Sequence, residues 1–169
     1  MSEKLLSVCP TEPADLPALL AIYAHAREEM RRNGNPNQWI RHPREELVED
    51  DIRLHRSLAV VCNGRVCGVF AFLTGEDPTY RVIEGAWLND APYGTIHRIA
   101  SDNTVPGVLA AAVAYGSGLV DNIRIDTHAD NSIMHHILPK LGFVRCGTIY
   151  VQDDTSDHSP RIAYQKIVR

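Results

Sequence analysis

Hydrophobic positions along the chain switch between a period of two and a period near 3.6, and each switch marks an element. Leu5 to Cys9 reads as a first strand. Leu16, Leu19, Leu20, Tyr23 and Met30 then recur at helical spacing, and Asn33-Gly34 closes that helix. Gly34 to Pro43 is a polar loop holding one tryptophan. Arg44 to Arg56 predicts a charged helix with Leu47, Val48, Ile52 and Leu54 inward. Leu58 to Cys62 and Val66 to Leu73 flank Asn63-Gly64, a strong two-residue hairpin signal. Gly75 to Pro92 is long for a connection inside one domain, which marks it as a binding loop.

The second half is more regular. Tyr93 to Ser101 predicts a strand, and Val105 to Tyr115 a helix ended by Gly116 and Gly118. Asn122 to Thr127 predicts the next strand. Asp130 or Asn131 caps a helix with Met134, Ile137, Leu138 and Leu141 on its apolar face, and Pro139 should kink or shorten it. Phe143 to Val151 and Arg161 to Val168 are closing strands around the acidic loop QDDTSDHS. The order predicts one mixed α/β (α+β) domain over residues 1–169, built around a single sheet.

Composition narrows the setting. The 169 residues are 44% hydrophobic and 22% charged with a net charge of −4, so no nucleic-acid footprint is expected. No apolar stretch approaches the roughly 20 residues that span a bilayer, and the N-terminus lacks a signal peptide's apolar core, so no membrane partner is expected. In the predicted hairpin Cys62 faces Arg65 and Cys67 faces Val60. The two thiols then stand about 7 Å apart as diagonal neighbours, too far for an unstrained disulfide. They read as buried small hydrophobes in a reducing compartment, and the chain as cytoplasmic.

The stretch HRIASDNTVPGVLAAAV carries the chemistry: a strand, a short polar turn and a helix beginning with small residues. The first N–H groups of a helix lack intrahelical partners and, with the helix dipole, favour an anion. One glycine alone is a weak phosphate signal. Among the eight histidines, His135 and His136 point about 100° apart on one helix and cannot easily share an ion, so no metal is expected.

With IRIDTHADNSIMHHILPKLGF and DHSPRIAYQKI, that stretch resembles the GNAT superfamily of acyl-CoA-dependent N-acyltransferases over nearly the whole chain. The resemblance implies a mostly antiparallel central sheet, splayed between its fourth and fifth strands, with about four helices. It implies acetyl-CoA as co-substrate, with the pantetheine arm pairing along Ile99, Ala100 and Ser101 and touched by Asn131 from the other side. The pyrophosphate would lie on Thr104, Val105, Gly107 and Val108. The family pattern, aligned on Gly107, falls on Thr104, Gly107 and Leu109 and keeps only the central glycine. Pro106 there lacks an N–H, and Leu109 crowds a place usually small. Leu138 stands where the family often has a tyrosine acid.

The acceptor would be a small-molecule amine or a peptide, attacking the thioester directly. His97, beside the expected thioester, ranks first as base; Glu84 is second and His128 third. Arg98 is expected to pair with a carboxylate or a substrate acid group. Acceptor recognition would fall to Asn35–Trp39, with Asn37 and Trp39 singled out, to Tyr80 and Trp87 in the long loop, and to Asp153–Asp157. The family's open sheets commonly pair, so a homodimer is allowed. The alternative function is a non-catalytic CoA-binding or interaction protein of the same fold.

Overall fold

Side-chain alternation along one central strand sets the layers. In the computed structural model, which describes residues 5–151 and 159–169, that strand is β3 (Arg65–Thr74). Phe70 and Phe72 point to one face, into the larger core, while Val69 points to the other. Helices α3 (Val108–Ser117) and α4 (Ser132–Lys140) cover the first face, and α1 (Leu16–Arg32) and α2 (Glu45–Arg53) cover the second.

The remaining strands are β1 (Leu6–Pro10), β2 (Ser57–Cys62), β4 (Glu84–Gly85), β5 (Gly94–Ser101), β6 (Asn122–Thr127), β7 (Val144–Val151) and β8 (Ser159–Ile167). They form an eight-stranded sheet in the order β1-β2-β3-β5-β6-β8-β7-β4. Every pairing is antiparallel except β5 with β6, which is parallel and consists of only Gly94 opposite Ile123 and Thr95 opposite Arg124. Beyond Thr95 the two strands diverge, and the predicted splay is this gap. The two-residue β4 lies within the long connection and was not predicted; it pairs with β7 at the far edge.

Two register shifts depart from the sequence reading. In the hairpin, Cys62 faces Arg65 as expected, but Val60 pairs with Gly68, not Cys67, because a bulge lies between Val60 and Val61. Both thiols are buried and free. A Cβ on Gly68 would sit 2.6 Å from Val108 Cγ1, so glycine here lets the first turn of α3 rest on the sheet.

The second shift lies in β5, where Val69 pairs with Ala100 but Ala71 pairs with His97. Arg98 takes the extra place with φ 52°, an uncommon conformation for a side chain of its size. It is held from two sides. Its guanidinium donates to both carboxylate oxygens of the buried Asp51 on α2, at 2.9 Å each, and Arg56 adds a third bond to Asp51 at 2.6 Å. Tyr23 on α1 donates its hydroxyl to the Arg98 carbonyl at 2.9 Å. Burial pushes the Tyr23 phenol well above its usual value, so it stays a donor. The expectation that Arg98 meets a carboxylate is met within the fold.

Candidate active site

The divergence of β5 from β6 opens two cavities that meet. The outer one, about 510 Å³, runs along Ile99, Ala100 and Ser101 of β5 to the start of α3 and across to Asn131 and Met134 of α4. The inner one, about 260 Å³, is lined by Gln38, Trp39, Ile96, His97, Asp126 and Arg161 among others. Met30, Ile99, Asn131 and Met134 line both, so the cavities join at the splay.

At the outer end, Gly107 is the N-cap of α3 with φ 96°, in the left-handed region that glycine adopts without steric cost. The helix therefore starts at Val108, three residues later than the sequence reading placed it. Pro106 precedes the cap, so its missing N–H removes no helix-start donor. Leu109 leans partly into the main core and lines the groove without filling it. Val105, Gly107 and Val108 line the groove with Ile99, Ala100, Ser101 and Asn131. Thr104 lies outside that lining: its hydroxyl bonds Asp102 and the guanidinium of Arg65.

The inner cavity is built by register. Thr95 stands opposite Arg124, so two residues further His97 and Asp126 stand at matching places on the diverging strands, on one sheet face. His97 Nε2 lies 2.7 Å from Asp77 Oδ2. Asp77 is itself fixed: its Oδ1 accepts from Thr79 N at 2.9 Å, and its own N–H donates to the Tyr93 hydroxyl at 2.8 Å. Burial raises the Asp77 carboxyl, but the His97 bond and the Thr79 donors outweigh it and hold it below the usual carboxylate range. An ionised Asp77 fixes a proton on Nε2 and leaves the Nδ1 lone pair as base. Asp126 accepts from the Tyr80 hydroxyl at 2.6 Å. Burial first, then the Asp126 charge, keeps that phenol protonated.

Other expected residues fall elsewhere. Glu84 is exposed on β4 at the far edge of the sheet, where Tyr150 donates to it at 2.9 Å. His128 closes the turn before α4, its Nδ1 accepting from Asp130 N at 3.0 Å. Trp39 forms part of the inner wall, packed edge-on against Tyr23, while Asn37 is exposed and outside both linings. Tyr80 is buried and meets the site twice, through its hydroxyl bond to Asp126 and through its ring, whose centroid lies 6.1 Å from that of His97. Trp87 lies outside both linings, where its ring and that of Tyr93 sandwich the Arg124 guanidinium at 4.1 and 4.0 Å. The long loop thus spends Trp87 on covering Arg124 and Tyr80 on backing His97 and Asp126. Leu138 is fully buried in the core. The Asp153–Asp157 loop lies outside the described residues.

Asp77, Asp126, Asn35 and Gln38 complete the site. Asp77 precedes Pro78, a legible turn cap, but nothing local announces its partner. Among the described residues no group of three or more His, Cys, Asp or Glu side chains is placed to hold a metal ion, and no helix is long and apolar enough to cross a membrane.

No family model matches the sequence, and neither does any curated protein. Solved structures do. A GNAT-family acetyltransferase from Streptococcus agalactiae is 30% identical, with 96% of this chain and 95% of that one covered at a TM-score of 0.82. A GNAT-family acetyltransferase from Listeria monocytogenes, 17% identical over 96% and 94%, has a TM-score of 0.68. The ribosomal-protein-S18-alanine N-acetyltransferase from Escherichia coli, 15% identical over 97% and 94%, has a TM-score of 0.62. The last two are alike in fold.

Proposed function

The chain belongs to the GNAT family of acetyltransferases, and from that premise we propose that it moves an acetyl group from acetyl-CoA to the amine of a small molecule or peptide by direct attack. The observation that carries this reading is the junction of the two cavities at the splay, with His97 lining the inner one and held from behind by Asp77. The outer groove suits acetyl-CoA: it runs beside the strand-unpaired β5 edge at Ile99–Ser101, which an extended arm can join, and ends at the α3 amides, which favour a pyrophosphate. When bound, acetyl-CoA supplies a thioester whose carbonyl carbon forms the new C–N bond as the C–S bond breaks and the thiolate takes a proton from water.

His97 Nδ1 accepts the amine proton, and Asp77 stabilises the imidazolium that results. Asp126 attracts the incoming ammonium before it is deprotonated. The break in the β3–β5 ladder at Arg98–Ile99 leaves main-chain groups there for the carbonyl oxygen. Leu138 leaves the family's tyrosine position without an acid, and a thioester's thiolate departs without one. The four free cysteines accord with a cytoplasmic setting.

Release of free thiol from acetyl-CoA, followed across a panel of amines, tests the reading. Amine-dependent turnover is expected, and release no faster than hydrolysis with every amine would overturn it. Gly107→Glu should weaken acetyl-CoA binding at least about tenfold, since it forces a side chain into φ 96° and sets a carboxylate beside the phosphates. Calorimetric titration checks this, and an unchanged affinity would place the pyrophosphate elsewhere.

A further inference from the structure

One buried polar atom beside the outer groove has no partner: Oδ1 of Asn35, a residue only 2% exposed. Local sequence dictates where this residue sits. Gly34 takes φ 79° after α1, the Gly34 N–H bonds the Arg31 carbonyl at 3.4 Å, and the Asn35 N–H bonds the Met30 carbonyl at 2.8 Å. This is a Schellman ending, and it turns the Asn35 side chain inward under the end of α1.

The amide orientation is then set by a neighbour. Asn35 Nδ2 donates to Gln38 Oε1 at 2.8 Å, and the same oxygen accepts from Asn131 Nδ2 at 3.0 Å and Thr127 Oγ1 at 3.3 Å. Rotating the Asn35 amide would set two carbonyl oxygens against each other, so Oδ1 is the end left open. Asn131, by contrast, is already engaged. Its Oδ1 accepts from Met134 N at 3.2 Å as the cap of α4, and its Nδ2 is held by Gln38.

We infer that Asn35, and not Asn131, is the side chain that accepts an amide N–H of the pantetheine arm, with Gln38 holding both asparagines in place. The inference rests on acetyl-CoA being the ligand of the outer groove. A buried acceptor without a donor is unfavourable, and a pantetheine arm brings two amide N–H groups along that groove. The ammonium of the acceptor is a poorer match, because Asn35 lines the outer groove and not the inner cavity.

Calorimetric titration of the wild type and Asn35→Leu with acetyl-CoA and with adenosine 3′,5′-bisphosphate, which lacks the arm, separates the possibilities. Asn35→Leu should bind acetyl-CoA about tenfold more weakly, the worth of one hydrogen bond, and bind the bisphosphate as the wild type does. An acetyl-CoA analogue with ester oxygens replacing the arm's amide N–H groups gives a check independent of any variant's folding. The wild type should lose about tenfold toward it. Unchanged acetyl-CoA affinity in Asn35→Leu, equal losses for both natural ligands, or no loss toward the ester would overturn the inference alone. A wild type that binds no acetyl-CoA would overturn the functional reading and the inference with it.

Discussion

Replacing His97 by glutamine should lower kcat for amine acetylation by about 10²–10⁴-fold, the usual worth of a positioned general base. The variant should leave acetyl-CoA binding unchanged, because His97 lines the inner cavity and not the outer groove. Glutamine keeps a hydrogen bond to Asp77 but has no lone pair basic enough to take the amine proton. Asp77 is held below the ordinary carboxylate range, so its charge, and with it the pairing, persists as pH falls until that lowered value is reached. Stopped-flow or steady-state thiol release on both proteins checks the result. A His97→Gln enzyme within threefold of wild type would remove His97 from the proton transfer. Glu84→Gln serves as the control and should change nothing, given its place at the far edge of the sheet.

The second large effect is on stability. Asp51→Ala should lower the unfolding free energy by about 3–5 kcal/mol, because it removes a buried carboxylate and leaves the Arg98 side chain, 12% exposed, without its counter-charge. Two guanidinium groups, from Arg56 and Arg98, converge on this one carboxylate. Arg98 is also the residue held at φ 52°, so losing the clamp releases the β5 bulge beside the inner cavity. Chemical denaturation measures the change, and activity should fall below what the folded fraction accounts for. A loss under about 1 kcal/mol would mean that the Tyr23 bond and the sheet hold Arg98 unaided.

Several expectations were legible for local reasons. A hydrophobic period reports which face of a segment is buried, and among the described residues the chain's periods identify α1 to α4 and all the strands but the shortest. Gly107 and Asn131 were read as a turn and a cap because left-handed backbone and a helix-start acceptor each need a particular residue type. The aromatic loop residues mark where such local reasoning ends. Tyr80 and Trp87 look like walls of a binding loop, and only the fold shows Trp87 closing over Arg124, a buried cation on a strand reached much later in the chain, and Tyr80 packing against Trp87 and His97.

By itself, then, the sequence determined the order of elements, the mixed class of the sheet, the glycine turn opening α3 and a histidine on the strand beside the gap, since each follows from residues within a few places of one another. Tertiary structure alone decided which groups meet there. Asp77 reaches His97 across 20 residues, Asp51 reaches Arg98 across 47, and Gln38 reaches Asn131 across 93. Those partnerships depend on strand register, and a single bulge shifts register by one residue, turning side chains from one face of a sheet to the other.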